Sequence, residues 1–413
     1  MRKKIDVRQL RPGMFVDGWC GSWIDHPFWR ERFLIADAQE LAQVHASGVA
    51  QCWIDTAKGL DVDAGAAPVP AAAAPPPAAP PAPPAAPRTV QEVPLDEELR
   101  RNAALLHSSR AAVMAMFGQA RMGRALDTRT CLPLVEQIAA SVTRNGAALI
   151  SLARLKTHDD YTYMHSVAVC ALMVALARQL GHDDDAVREA GMAGLLHDLG
   201  KARMPLEVLN KPGKLSDEEF MLIKSHPERG HELLQRAGQR SPTVLDVCLH
   251  HHEKIDGSGY PHRLAGEAIG LQARMGAVCD VYDAITSNRP YKQGWDPAES
   301  IARMAEWRRG HFDETVFQAF VKSLGIYPTG SLVRLRSGKL AVVVEQNPAA
   351  LTTPLVKAFF STRSQMHFTP ELVDLSRPGC SDAITGRESN REWKFARLDE
   401  LWAGAEVLRQ AGR

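Results

Sequence analysis

Apolar positions follow three different rhythms along the chain, and each predicts its own kind of element. From about residue 90 to 325 the pattern is helical. Asp183 or Asp184 can cap a helix running to Leu199, with Gly200 just past its end. Ser216 with Glu219 makes a capping box. Ser241-Pro242 and Asp296-Pro297 each set a cap residue before a proline at the first helical position. After Ile326 the rhythm shortens. Leu332 to Leu335, Leu340 to Val344 and Leu355 to Phe360 read as strands, the first two joined by a turn at Ser337-Gly338. Near the N-terminus, brief β-like pieces (Phe33-Leu34-Ile35 and Cys52-Trp53-Ile54-Asp55) lie among Trp19, Trp23, Trp29 and Trp53.

Between these regions, residues 64 to 87 are almost entirely alanine and proline. Proline removes donors and fixes the backbone, so neither a sheet nor a continuous helix can form there. The stretch reads as a semi-rigid spacer of ~3.1 Å per residue, or as a proline-rich ligand for an aromatic groove. The whole is expected to be a multi-domain, mainly α protein. It comprises a small Trp-containing α+β module over 1–63, a linker over 64–88, an all-helical domain over 89–325 and a short β-rich appendage over 326–413.

Composition narrows the function. Apolar residues make up 45% of the 413, enough for a real core. A formal net charge of +1 leaves no global field to recruit a nucleic acid polymer or a membrane surface. The seven cysteines form no CxxC, which argues against a disulfide framework or a zinc ribbon and for small buried hydrophobes. No signal-peptide core follows the basic start, and no apolar run approaches the ~20 residues of a membrane span. A cytoplasmic protein is expected.

The chemistry lies in histidines and aspartates placed among apolar residues. His165 opens a helix whose Val169, Leu172 and Leu176 share one face; alone it would read as a core histidine. His197-Asp198 stands among leucines and glycines. An unpaired buried carboxylate costs several kcal/mol, so Asp198 needs a cation, either a metal or Lys201. His226 precedes Pro227, where a helix must restart. His250-His251-His252 can turn two imidazoles toward a metal pair, leaving His250 solvated. Asp280 lies in the apolar helix Met275–Ala284 and also needs a positive partner. His26 and His45 stand alone and read as solvated or packed. Imidazole plus carboxylate without thiolate suits iron, manganese, nickel or zinc. Two such ions ~3.5–4 Å apart can activate a bridging hydroxide and hold both oxygens of a phosphoryl transfer.

Taken together, five stretches resemble the HD-GYP subfamily of HD-domain phosphohydrolases. They are His197-Asp198-Leu199-Gly200-Lys201, His226-Pro227-Glu228, His251 through Pro261, Asp280 through Thr286, and Arg289-Pro290-Tyr291-Lys292. The likeness covers roughly 155 to 325, and the pattern from Val7 to Val16 resembles a module often found ahead of such domains. The resemblance implies an all-helical domain that hydrolyses cyclic di-GMP to pGpG or GMP. It implies His165, His197, Asp198, His226, His251, His252 and Asp280 as ligands of two divalent ions, iron or manganese before zinc or nickel, with Asp198 bridging. Lys201 would assist the leaving oxygen. Arg289 and Lys292 would contact substrate phosphates, or form a solvated basic loop. Gly257, Ser258 and Gly259 would allow close approach of the substrate, Asp283 would lie against it, and Tyr260 would stack on guanine or pack as a lid. Members with a third metal carry a glutamate where this chain has Tyr161, which favours two metals. Other readings are a different cyclic dinucleotide such as cyclic GMP-AMP, a di-iron oxygenase, or a receptor that binds without turnover. Protein partners through the flanking modules and a homodimer fit the architecture.

Overall fold

The computed structural model describes residues 2–19, 33–35, 41, 45, 51–62, 93–124, 126–155, 161–211, 213–287 and 294–412. The chain divides into two compact units, Met1–Val90 and Gln91–Arg413. His26, Trp23, Trp29 and the alanine-proline stretch lie outside the described residues.

In the first unit, β1 (Arg2–Asp6), β2 (Phe15–Trp19), β3 (Phe33–Leu34) and β4 (Gln51–Asp55) form an antiparallel sheet in the order β1-β4-β2-β3. Alternation buries Ile5, Val16, Cys52 and Ile54 on one face, where Val7, Leu10, Met14 and Ile35 close the core. His45 Nε2 lies 3.1 Å from the Val7 carbonyl, so this histidine packs locally.

The second unit opens with α1 (Leu95–Arg121). Its buried Glu98 accepts both arms of the Arg144 guanidinium at 2.7 and 2.8 Å, which pins α1 to α2 (Leu132–Arg144). After α3 (Gly146–Arg154) come α4 (Tyr161–Gln179) and α5 (Asp184–Leu196), packed closely together. Gly194 makes that approach possible: a Cβ there would lie 2.9 Å from the Val169 carbonyl. Short α6 (Leu206–Leu209) leads to α7 (Asp217–Lys224), which begins with the expected Ser216/Glu219 capping box. The remaining helices are α8 (His226–Arg236), α9 (Pro242–His250), α10 (Leu271–Thr286), α11 (Pro297–His311) and α12 (Glu314–Leu324). Ser241 and Asp296 cap α9 and α11 as their sequences predict.

One helix is shorter than expected. Asp183 does cap α5, but the helix ends at Leu196 instead of Leu199. His197 donates from Nδ1 to the Gly194 carbonyl at 2.7 Å, and the chain tightens into a 3-10 turn over Leu199–Arg203. Gly200 sits inside that turn. A Cβ on it would lie 1.9 Å from the His226 carbonyl oxygen, so only bare backbone lets the turn press against α8.

The β-rich tail belongs to the same compact unit as the helices. Strands β5 (Leu332–Leu335), β6 (Lys339–Glu345), β7 (Leu355–Ser361), β8 (Met366–Asp374) and β9 (Ile384–Arg387) form an antiparallel sheet in the order β8-β7-β6-β5-β9. The turn at Ser337-Gly338 is present, with Gly338 at φ +83°. Three short helices follow: α13 (Asn390–Trp393), α14 (Glu400–Ala403) and α15 (Ala405–Gln410). Asp296 ties the sheet to the helices by accepting the Leu332 N–H at 3.1 Å, and α15 packs back on α1. Five of the six described cysteines are buried and all six are free thiols. No helix among the described residues is long and apolar enough to cross a membrane.

Candidate metal centre

Five places in the helical body aim a histidine or aspartate at one point. α4 supplies His165, the tight turn after α5 supplies His197 and Asp198, the first residue of α8 is His226, the end of α9 gives His251 and His252, and mid-α10 gives Asp280. All seven residues expected as ligands meet there. His252 is half-buried and the other six are buried.

The cluster has two halves joined by carboxylates. His165 Nε2 lies 3.3 Å from Asp198 Oδ2 and 3.0 Å from Asp280 Oδ1, and His197 Nε2 lies 3.4 and 3.8 Å from the same atoms. On the other side, His226 Nε2 is 3.2 Å and His251 Nε2 3.8 Å from Asp198 Oδ1. His252 Nδ1 faces Asp280 Oδ2 at 3.8 Å. Each aspartate therefore turns one oxygen to His165 and His197; the other goes to His226 and His251 from Asp198 and to His252 from Asp280.

Backbone and carboxylate acceptors behind the rings fix their tautomers. His197 donates from Nδ1 to the Gly194 carbonyl, His226 to Ile223 at 2.7 Å, and His251 to Val247 at 2.9 Å. His165 donates from Nδ1 to Asp283 Oδ2 at 2.6 Å. With Nδ1 donating in all four, each Nε2 is turned inward, and His165 must lose its Nε2 proton before that nitrogen can bind a metal. Two pairs meet head-on, His165–His197 at 3.2 Å and His226–His251 at 3.3 Å.

Electrostatics follow from this packing. Burial opposes charge on His165, but the carboxylates of Asp198, Asp280 and Asp283 outweigh it and raise the imidazole to about 10. Burial, with His252 and His197 alongside, drives His251 well below the ordinary range, and burial brings His252 down to about 3 despite Asp280. Burial alone would raise Asp198; Lys201 and His197 reverse that and hold it well below the usual carboxylate range. Asp198 Oδ1 is nonetheless buried without a hydrogen-bond donor. An orphaned carboxylate oxygen facing inward imidazole nitrogens fits a bound cation beside Asp198.

The other expected site residues fall in different places. Lys201 lies 2.5 Å from Asp198 Oδ2, so the ion pair and the histidine cluster coexist. Asp283 is buried, and its Oδ2 accepts the His165 Nδ1–H at 2.6 Å. Tyr260 stacks on His252, with ring centroids 4.7 Å apart and planes 26° apart. Gly257 takes a turn at φ +78°, and the exposed Ser258 donates its N–H to Asp256 at 2.9 Å. Gly259 makes a close backbone approach within the protein, where a Cβ would lie 2.5 Å from Glu253 Cα. His250 is not left to solvent; it bonds Asp246 at 2.7 Å and meets His262 at 3.0 Å. Arg289, Lys292 and the Tyr161 side chain lie outside the described residues. Sequence reasoning left Glu253 without a role. It is buried and accepts the N–H groups of His262 and Leu264 at 2.7 and 3.1 Å, which brackets the Tyr260 loop. A carboxylate directly after two candidate ligands and before a glycine-rich loop was the available signal.

Comparison with known proteins agrees with this geometry. The HD domain profile matches residues 134–316, and a domain of unknown function (DUF3391) matches residues 2–131, running past the linker into α1. A cyclic di-GMP phosphodiesterase of Pseudomonas aeruginosa is 56% identical over 405 residues, covering 98% of this chain and 96% of the relative. A cyclic di-GMP phosphodiesterase response regulator of Xanthomonas campestris is 45% identical over 46% of this chain and 52% of its own. A 3'3'-cGAMP-specific phosphodiesterase of Vibrio cholerae is 34% identical over 46% of this chain and 44% of its own. The helical body with its histidine-aspartate cluster defines an HD-domain phosphodiesterase. The chain belongs to the HD-GYP family of these enzymes, in the form that carries the DUF3391 module ahead of the HD domain.

Proposed function

We propose that this phosphodiesterase hydrolyses cyclic di-GMP to pGpG, GMP or both, using two metal ions held by His165, His197, Asp198, His226, His251, His252 and Asp280. The observation that carries the reading is Asp198, buried between the two halves with one oxygen toward each and no donor on Oδ1. The near full-length likeness to a cyclic di-GMP phosphodiesterase supports the substrate. Bound there, iron or manganese would supply Lewis acidity toward the phosphodiester.

The chain's own groups do the rest. Asp198 and Asp280 span both halves and fix their spacing. Lys201, restrained by Asp198, puts an ammonium where charge develops on the leaving oxygen. Tyr260 holds His252 flat, and Glu253 keeps the Tyr260 loop in register. Arg289 and Lys292 would contact the substrate phosphates. The presence of Lys201 beside a complete ligand cluster favours turnover over a receptor role.

Anaerobic purification, metal analysis by mass spectrometry and incubation with cyclic di-GMP test the reading in one session. About two metals per chain and release of pGpG or GMP are expected. Metal-replete protein that cleaves 3'3'-cGAMP and leaves cyclic di-GMP intact would replace the substrate, and a chain that takes up no metal would overturn the reading.

A further inference from the structure

The cluster that holds His252 continues outward in one direction. Tyr260 covers His252, and the Lys224 ammonium, at the end of α7, lies 5.2 Å from the Tyr260 ring centroid. The same ammonium lies 4.7 Å from the centroid of Phe220, one turn earlier on α7. Lys224 is half-buried and has no carboxylate partner among the described residues; the nearby Glu219 is taken by Lys211 at 2.6 Å. Phe220 is 47% exposed and its neighbour Met221 is 64% exposed, an apolar outer surface on a helix whose first turn is acidic.

We propose that Lys224 and Phe220 form the substrate-recognition edge of the metal centre, Lys224 taking the phosphate that is not being cleaved and Phe220 stacking a purine. The inference rests on the cyclic-dinucleotide reading above. Such a substrate carries two phosphodiesters, and only one can occupy the Asp198 site. The second brings a negative charge to the rim, where it needs a cation. An ammonium held against aromatic faces keeps its three N–H donors free, because the rings attract its charge without consuming a directional hydrogen bond. An exposed aromatic face beside that cation is the usual platform for a base, and stacking tolerates either purine. This edge therefore selects for a dinucleotide with two phosphates, while the choice among purines lies elsewhere.

The test is steady-state kinetics on the metal-loaded full chain with cyclic di-GMP, with metal content measured for each variant. For Lys224→Gln, KM is expected to rise by about tenfold or more with kcat within about threefold, because a charge-assisted contact made equally in ground and transition states is lost. Lys224→Arg restores KM. Phe220→Ala raises KM in the same manner, and Phe220→Trp restores it. An unchanged KM in both Lys224→Gln and Phe220→Ala, with wild-type protein turning the substrate over, overturns the proposal and leaves the phosphodiesterase reading standing. Wild-type protein that neither binds nor cleaves a cyclic dinucleotide removes the substrate reading and this inference with it.

Discussion

Replacing Asp283 with asparagine keeps the side chain's shape and removes its charge. Asp283 is buried, accepts the Nδ1–H of His165 at 2.6 Å, and takes the Ser287 hydroxyl at 3.3 Å on its other oxygen. The asparagine can still accept both hydrogens through one oxygen or turn its amide toward His165, but it no longer makes the imidazole more basic. Loss of such an outer partner costs metal affinity about 10- to 100-fold, roughly 1.4–2.7 kcal/mol. The loss falls on the half formed by His165, His197 and Asp280, since His226 and His251 are oriented by the backbone carbonyls of Ile223 and Val247. A second effect runs the other way. Asp283 helps raise His165 to about 10, so its removal weakens the proton that competes with metal. That relief is greatest at low pH, so the measured deficit widens as pH rises from about 6.5 to 9. Chelator competition with metal counting gives one tightly held ion and one weakened ion per chain for Asp283→Asn. Parallel loss of both ions, or wild-type affinity for both at high pH, would refute the assignment of Asp283 to one half of the site.

Asp198→Ala is expected to abolish metal uptake and activity together, since it removes a carboxylate that offers an oxygen to both His165 and His226; metal analysis beside a rate assay decides it. Lys201→Ala keeps its metal and loses turnover by about 100-fold or more, read as kcat at saturating substrate. In wild-type protein His165 is protonated below about pH 10 when no metal is bound, so uptake expels a proton and apparent affinity climbs as pH rises toward that value; a pH-indicator titration of proton release measures it. Gly200→Ala forces a methyl into the His226 carbonyl, and we expect destabilisation of about 3 kcal/mol or more with loss of bound metal, seen by denaturant unfolding and mass spectrometry.

The clustered histidines and aspartates were legible in the sequence because each is a polar residue in an apolar setting, and that contrast survives in one dimension. Helix starts at Ser216, Ser241 and Asp296 were legible for a similar reason, since a cap and its N–H lie within three residues. What was not legible depends on distant contacts. Asp283 meets a histidine 118 positions earlier, and nothing beside it marks that duty. The end of α5 at Leu196 is set by the approach of α8 to Gly200, an event between segments. The tail reads as a separate piece by its β pattern, yet Asp296 and α15 bind it to the helices.

The Lys201–Asp198 contact bears on the order of assembly. A buried carboxylate with no counter-charge would oppose collapse of the nascent core, and a chain built that way would have to wait for its ions, as zinc fingers do. Here the chain carries counter-charge of its own, the Lys201 ammonium and the His165 imidazole set against Asp198. The metal-free chain is therefore expected to hold its helical body together before any ion arrives, with a cooperative unfolding transition of its own.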